Sequence, residues 1–173
     1  MRLRVWPLRR PNRALTELKM KPGTARPLPP RPPATLELVE VLGIGASQTV
    51  GEITLTLLSV ERYTNVGIVH FRLVGPRPRG REFLLPELRW SITDALSSDY
   101  IRSPMSSGGG GGEDRFEYRM SYAFWPTPAT PTNIAFDVQE IAWQRLRLGH
   151  AERQVATTTT GPWRFVVHVE PTK

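Results

Sequence analysis

Phe116, Tyr118, Met120, Tyr122 and Phe124 alternate without a break with Glu117, Arg119 and Ser121. A period of two puts the large apolar side chains on one face of an extended strand and the polar ones on the other. No helix can sort these residues in that way. The same period recurs along the chain. Ile53, Leu55 and Leu57 alternate with Thr54 and Thr56, and Val69, Phe71 and Leu73 alternate with His70 and Arg72. Leu88, Trp90 and Ile92 form another such face, as do Ile134, Phe136 and Val138, then Trp163, Phe165, Val167 and Val169. Leu36, Leu38 and Val41 make a first, shorter one. About seven half-buried strands, with no helix between them long enough for a parallel crossover, predict an antiparallel all-β fold. A β-sandwich is the primary expectation and a barrel the alternative.

The breaks between these segments carry turn chemistry. The doubled Leu57-Leu58 shifts the phase of its strand, as a β-bulge does. Tyr63 to Gly67 has the composition of a hairpin turn, Gly75 to Arg81 that of a basic loop, and Asp94 to Asp99 that of a turn. The run Gly108 to Gly112, flanked by serines and acids, predicts a mobile spacer. Gly149 to Gly161 predicts a polar loop. Pro126 and Pro162 are expected at strand ends, where a missing N–H does least harm.

The 39% of hydrophobic residues is enough for a core in the body of the chain. The net charge of +7 has a different origin. Of 23 bases and 16 acids, residues 1–33 hold nine bases (Arg2, Arg4, Arg9, Arg10, Arg13, Lys19, Lys21, Arg26 and Arg31) and one acid, Glu17. Residues 34–173 keep 14 bases and 15 acids, so the body is electrically balanced. The chain therefore reads as a basic, proline-rich flexible tail over residues 1–33 and a sandwich domain over residues 34–173. Arg26-Pro27-Leu28-Pro29-Pro30-Arg31-Pro32 is a polyproline II stretch that matches the R-x-L-P-P-x-P ligand of SH3 domains. Its simpler role is a stiff spacer.

Several kinds of chemistry lack their residues. With no cysteine there is no disulfide, thiol nucleophile or thiolate metal site. His70 and His168 fall on outward strand positions and His150 in a loop, which predicts isolated surface histidines and no metal centre. Asp94, Asp99, Glu113 and Asp114 gather around two loops, but Asp94 and Asp99 lack the D-x-D-x-D-G spacing of a calcium loop. A turn-capping role for Asp94 is the plainer expectation. Ser97, Ser98, Ser103, Ser106 and Ser107 are loop serines outside any G-x-S-x-G elbow. The glycine run lacks the lysine and following helix of a phosphate loop. No segment is long and apolar enough to span a membrane as a helix. No apolar run follows the first arginines. The start as written thus predicts a cytoplasmic chain, and export would need an upstream leader. No cofactor is implied.

The residues left for binding are aromatic or basic. Trp90 and Trp163 alternate with polar neighbours as core residues do. Trp125, beside Pro126, is the candidate exposed binding aromatic. In the tail, Arg2, Arg4, Arg9, Arg10 and Arg13 can neutralise phosphates of nucleic acid or an anionic surface, with Trp6 as a stacking group.

Gly51-Glu52-Ile53-Thr54-Leu55, Val69-His70-Phe71-Arg72-Leu73, Ile92-Thr93-Asp94 with Asp99-Tyr100, and Gly161-Pro162-Trp163-Arg164-Phe165 resemble bacterial immunoglobulin-like (telokin-like) sandwich domains of unknown function, often found in exported proteins. In those domains an aspartate, a short turn and a tyrosine join two strands, as Asp94 to Tyr100 would here, although this turn lacks the usual glycine. The resemblance covers residues 35–170. It implies an immunoglobulin-like fold and supplies no catalytic residues. The functional expectation is a non-catalytic binding or structural module with a protein partner. The alternatives are a nucleic-acid or ribonucleoprotein-associated protein held through residues 1–31, and a hydrolase built on a sandwich.

Overall fold

A computed structural model describes residues 37–76, 84–96, 98–112, 114–128, 130–145 and 154–170. The chain divides into Met1–Pro30 and Arg31–Lys173, and every described residue belongs to the second unit. The described residues form eight strands: β1 (Leu38–Val50), β2 (Ile53–Tyr63), β3 (Gly67–Pro76), β4 (Leu84–Asp94), β5 (Ile101–Gly111), β6 (Arg115–Trp125), β7 (Thr132–Arg145) and β8 (Gln154–Val169). One sheet has the order β1-β2-β3-β6-β5 and the other β4-β7-β8. All pairings are antiparallel.

The two sheets enclose one apolar core, so the fold is a β-sandwich. The alternating positions supply it. Leu55, Leu57, Val69, Phe71 and Leu73 are fully buried from one sheet, and Phe136, Ile141 and Trp163 from the other. Phe71 sits at the centre, edge-on to Trp90, Tyr122 and Phe136 at centroid separations of 5.9, 6.3 and 6.5 Å. Edge-to-face packing suits the aromatic quadrupole and fixes the inter-sheet spacing. Trp90 and Trp163 are both core residues, as their alternation requires. The phase shift at Leu57-Leu58 is a bulge, because the pairing with β3 skips from Leu57 to Ser59. Gly51, at a φ of 59°, lets two residues close the β1–β2 hairpin.

Three expectations are corrected. The run Gly108 to Gly112 is no spacer loop, because Gly108 to Gly111 complete β5. Glycine has little intrinsic preference for strands, but here space decides. A Cβ on Gly109 would stand 2.3 Å from the Glu117 carbonyl oxygen, and one on Gly111 2.2 Å from that of Arg115. Only glycine lets β5 lie this close to β6, so packing overrides propensity. Next, residues 154–161 belong to β8 and not to a loop. Finally, Pro162 lies inside β8. It sits where the pairing with β7 jumps from Val138–Trp163 to Glu140–Thr160, so its missing N–H falls at a register break.

Candidate functional site

Each sheet ends in an edge strand on the same flank of the sandwich, β4 in one and β5 in the other. Between them lies a groove of about 580 Å³, lined by Leu85, Pro86, Trp90, Arg102, Met105 and Gln144 among others. That volume is in the range of ligand clefts. Core alternation places Trp90 at the base. The Arg102 guanidinium, from β5, lies over its ring, with Cζ 5.4 Å from the centroid. Arg102 is exposed and has no acidic partner among the described residues. Met105 is 54% exposed, at the point where β5 slips against β6 between Pro104 and Ser106. On the opposite wall the Glu87 carboxylate accepts a hydrogen bond from the Gln144 amide. The groove therefore presents a cation on an aromatic shelf, an exposed thioether and an already occupied carboxylate.

The β4 wall is closed by two tyrosines four residues apart on β6. Tyr118 donates its hydroxyl to the Leu84 carbonyl at 2.9 Å, and Tyr122 accepts the Leu88 N–H at 3.3 Å. Burial pushes the Tyr122 hydroxyl up to about 12; the Leu88 N–H opposes this and Glu87 adds to it. Tyr122 is thus a neutral hydroxyl across the physiological range.

A second polar arrangement lies on the outer face of the larger sheet. The His70 Nδ1 and Ser121 Oγ atoms are 2.8 Å apart, the His70 Nε2 and Glu61 Oε1 atoms are 3.1 Å apart, and Tyr63 donates to Glu61 Oε2 at 2.9 Å. His70 is therefore not the isolated surface histidine the sequence suggests. His168, likewise, is 2.9 Å from Asn133 and 3.2 Å from Glu170. With one ring nitrogen facing a serine hydroxyl and the other facing a carboxylate, the trio has the outline of a base–nucleophile pair. Three features argue against acyl transfer. The His70 Nε2–Glu61 contact is an ion-pair approach without hydrogen-bond geometry. The residues sit on adjacent strands of a continuous sheet. There the backbone N–H groups of β3 and β6 are engaged in the ladder and form no oxyanion hole. The group acts as a polar tie across β2, β3 and β6.

Asp94 is a structural corner. Its Oδ1 accepts the N–H groups of Leu96 and Ser98, and its Oδ2 the hydroxyls of Ser98 and Tyr100. Burial alone would raise the carboxyl, but these donors outweigh it and hold the group below the usual carboxylate range. Burial first, then the Asp94 carboxylate, drives the Tyr100 hydroxyl well above its ordinary value. Both carboxylate oxygens are spent on donors, which leaves them poor calcium ligands.

Trp125 is half-buried against Val66, Ile68, Ala123 and Tyr63, a small apolar cluster on the outer face. No groove-lining residue belongs to that cluster. Arg2, Arg4, Trp6, Arg9, Arg10 and Arg13, and the proline-rich stretch, lie outside the described residues. Sequence reading missed Arg102 and Met105. Their segment has no alternation to mark it, and the one signal available was Pro104 within a serine-rich stretch, a composition that suits an edge strand.

No protein family, curated protein or solved structure matches the chain.

Proposed function

We propose that the chain is a non-catalytic, protein-binding module of immunoglobulin-like fold whose contact region is the groove between β4 and β5. The strand order supports the fold assignment. The set β2-β3-β6-β5 facing β4-β7-β8 corresponds to A-B-E-D facing C-F-G of the constant-type immunoglobulin arrangement, with β1 as an added strand. Trp90 then occupies the place of the buried tryptophan on strand C. Phe71 and Phe136, on the strands that a disulfide joins in antibody domains, pack edge to face instead.

The observation that carries the function is Arg102. An exposed cation without an acidic partner among the described residues, held over Trp90 beside an open strand edge, is a recognition element awaiting an anion. The test is a selection of displayed random peptides on the full chain. Selected peptides are expected to lose about tenfold in affinity on Arg102→Ala, the effect of one charge-assisted contact. Arg119→Ala, on the outer face, should leave them unchanged. Peptides indifferent to Arg102→Ala and weakened by Arg119→Ala would overturn the reading.

A further inference from the structure

We propose that β5 accepts an added strand: an extended segment of a partner protein, antiparallel to β5, carrying an acidic residue to Arg102. This rests on the groove being the contact region. The two sheets have four edges, and three are compromised for pairing. On β4, the Leu84 carbonyl and the Leu88 N–H are taken by the hydroxyls of Tyr118 and Tyr122, and Pro86 between them has no N–H to give. On β8, the Gln48 side chain takes both backbone groups of Arg164, its Nε2 donating to the carbonyl and its Oε1 accepting the N–H at 2.8 Å. On β1, the register against β2 breaks twice, between Leu38 and Glu40 and between Gly43 and Ala46, and the remaining stretch is drawn onto β8 by Gln48.

The β5 edge has none of these obstructions past Met105. Ser106 to Gly111 pair without a break with Ser121 to Phe116, a stretch of about 20 Å at the usual strand rise. Among the described residues, no side chain hydrogen-bonds the β5 backbone, and β6 is its one neighbouring strand. The stretch holds no charge and no proline, the usual devices that blunt an edge. Gly108 and Gly110 carry no side chain, and nothing lies within 4 Å of the place a Cβ would take on the outer face, so the sheet is uncrowded there. An antiparallel guest continues the pairing used throughout this sheet. Running from Gly111 toward Ile101, its C-terminal end reaches Arg102, a groove cation with no acidic partner among the described residues. Charge complementarity therefore calls for a glutamate or aspartate at that end.

The test uses the full, isotope-labelled chain and a blocked peptide of about eight residues, alternating threonine and valine and ending in glutamate. Expected are shifts at Ser106 to Gly111 and Arg102, with slowed amide exchange along β5. Methylating alternate backbone nitrogens of the peptide should abolish binding. Exchanging its glutamate for lysine, or Arg102→Ala in the protein, should weaken it about tenfold. If the peptide shifts Arg102 and Met105 but the methylated form binds equally well, strand addition is wrong and the groove stands. If no groove or β5 resonance moves at about 1 mM peptide, where even weak pairing registers, both fall.

Discussion

Replacing Gly109 and Gly110 one at a time by alanine tests the pairing of β5 directly. Neighbours in a glycine run are chemically identical, and only the register against β6 distinguishes them. A Cβ on Gly109 meets the Glu117 carbonyl oxygen at 2.3 Å and the Tyr118 ring at 2.5 Å. Neither can retreat cheaply. Glu117 lies on β6, held between β3 and β5, and Tyr118 is anchored on the Leu84 carbonyl. Overpacking of this kind costs about 1–3 kcal/mol, and the smaller entropy of an unfolded alanine returns about 0.5. Gly109→Ala should therefore lose about 1.5 kcal/mol. A Cβ on Gly110 meets nothing within 4 Å, so Gly110→Ala should gain about 0.5 kcal/mol. The gap of about 2 kcal/mol corresponds to about 6 °C in Tm for a unit of about 140 residues. Calorimetry on the full-length variants, checked by urea midpoints, measures it. Equal melting temperatures, or a lower one for Gly110→Ala, would show that this register is wrong and that the run is the spacer its composition suggests.

Three other outcomes are expected, two from the structure and one from the charge of the tail. Tyr122→Phe strands the Leu88 N–H and should cost about 1–2 kcal/mol in denaturant midpoint. In the wild type, unfolded Tyr122 ionises near its ordinary value of 10.0 while the folded hydroxyl holds its proton to about 12. Its contribution is thus complete below pH 10 and lost as pH rises through 12, a decline the phenylalanine variant should show to a lesser degree. Asp94 has the opposite sign. Its carboxyl is held low in the fold, so its contribution is present above the ordinary carboxylate value and lost as pH falls through the folded one. Asp94→Asn should flatten that acid limb and cost about 1–2 kcal/mol at neutral pH; an unchanged acid limb would contradict the corner. The tail should retard duplex DNA at low salt and release it steeply as salt rises, and replacing Arg2, Arg4, Arg9, Arg10 and Arg13 by serine should abolish the retardation in a gel. Retardation that survives the replacement would place the phosphate contacts elsewhere.

The sequence disclosed what depends on side-chain period and concealed what depends on backbone position. Phe116 to Phe124, Val69 to Leu73 and Trp163 to Val169 each carry a full apolar face, and each is a core strand. The Leu57-Leu58 bulge was legible because an extra residue breaks phase in the sequence itself. β5 was not legible. Its alternation is between glycines with no room for a Cβ and glycines with ample room, a pattern that a string of identical letters hides. Thr157 to Thr160 were missed for a related reason, since a uniform polar run shows no faces. The groove inherits this blindness, because one of its walls is β5. Likewise the tie of Glu61, His70 and Ser121 joins three strands, so nothing in linear spacing brings its members together.

The uniformity of Gly108 to Gly112 also bears on motion. Strand register is normally locked by unlike side chains that would change faces on a slip. Five identical residues carry no such information, but their flanks do: a shift of β5 along β6 by two positions toward Phe116 would bring Ser107 to the place of Gly109, where the Glu117 carbonyl leaves no room for a Cβ. A second pin lies in the other half of the strand, where Arg102 rests on Trp90 and Met105 takes up the extra residue. β5 is thus built like a slide rule clamped at both ends. Its setting is held by tight glycines at one end and by the cation over the tryptophan at the other.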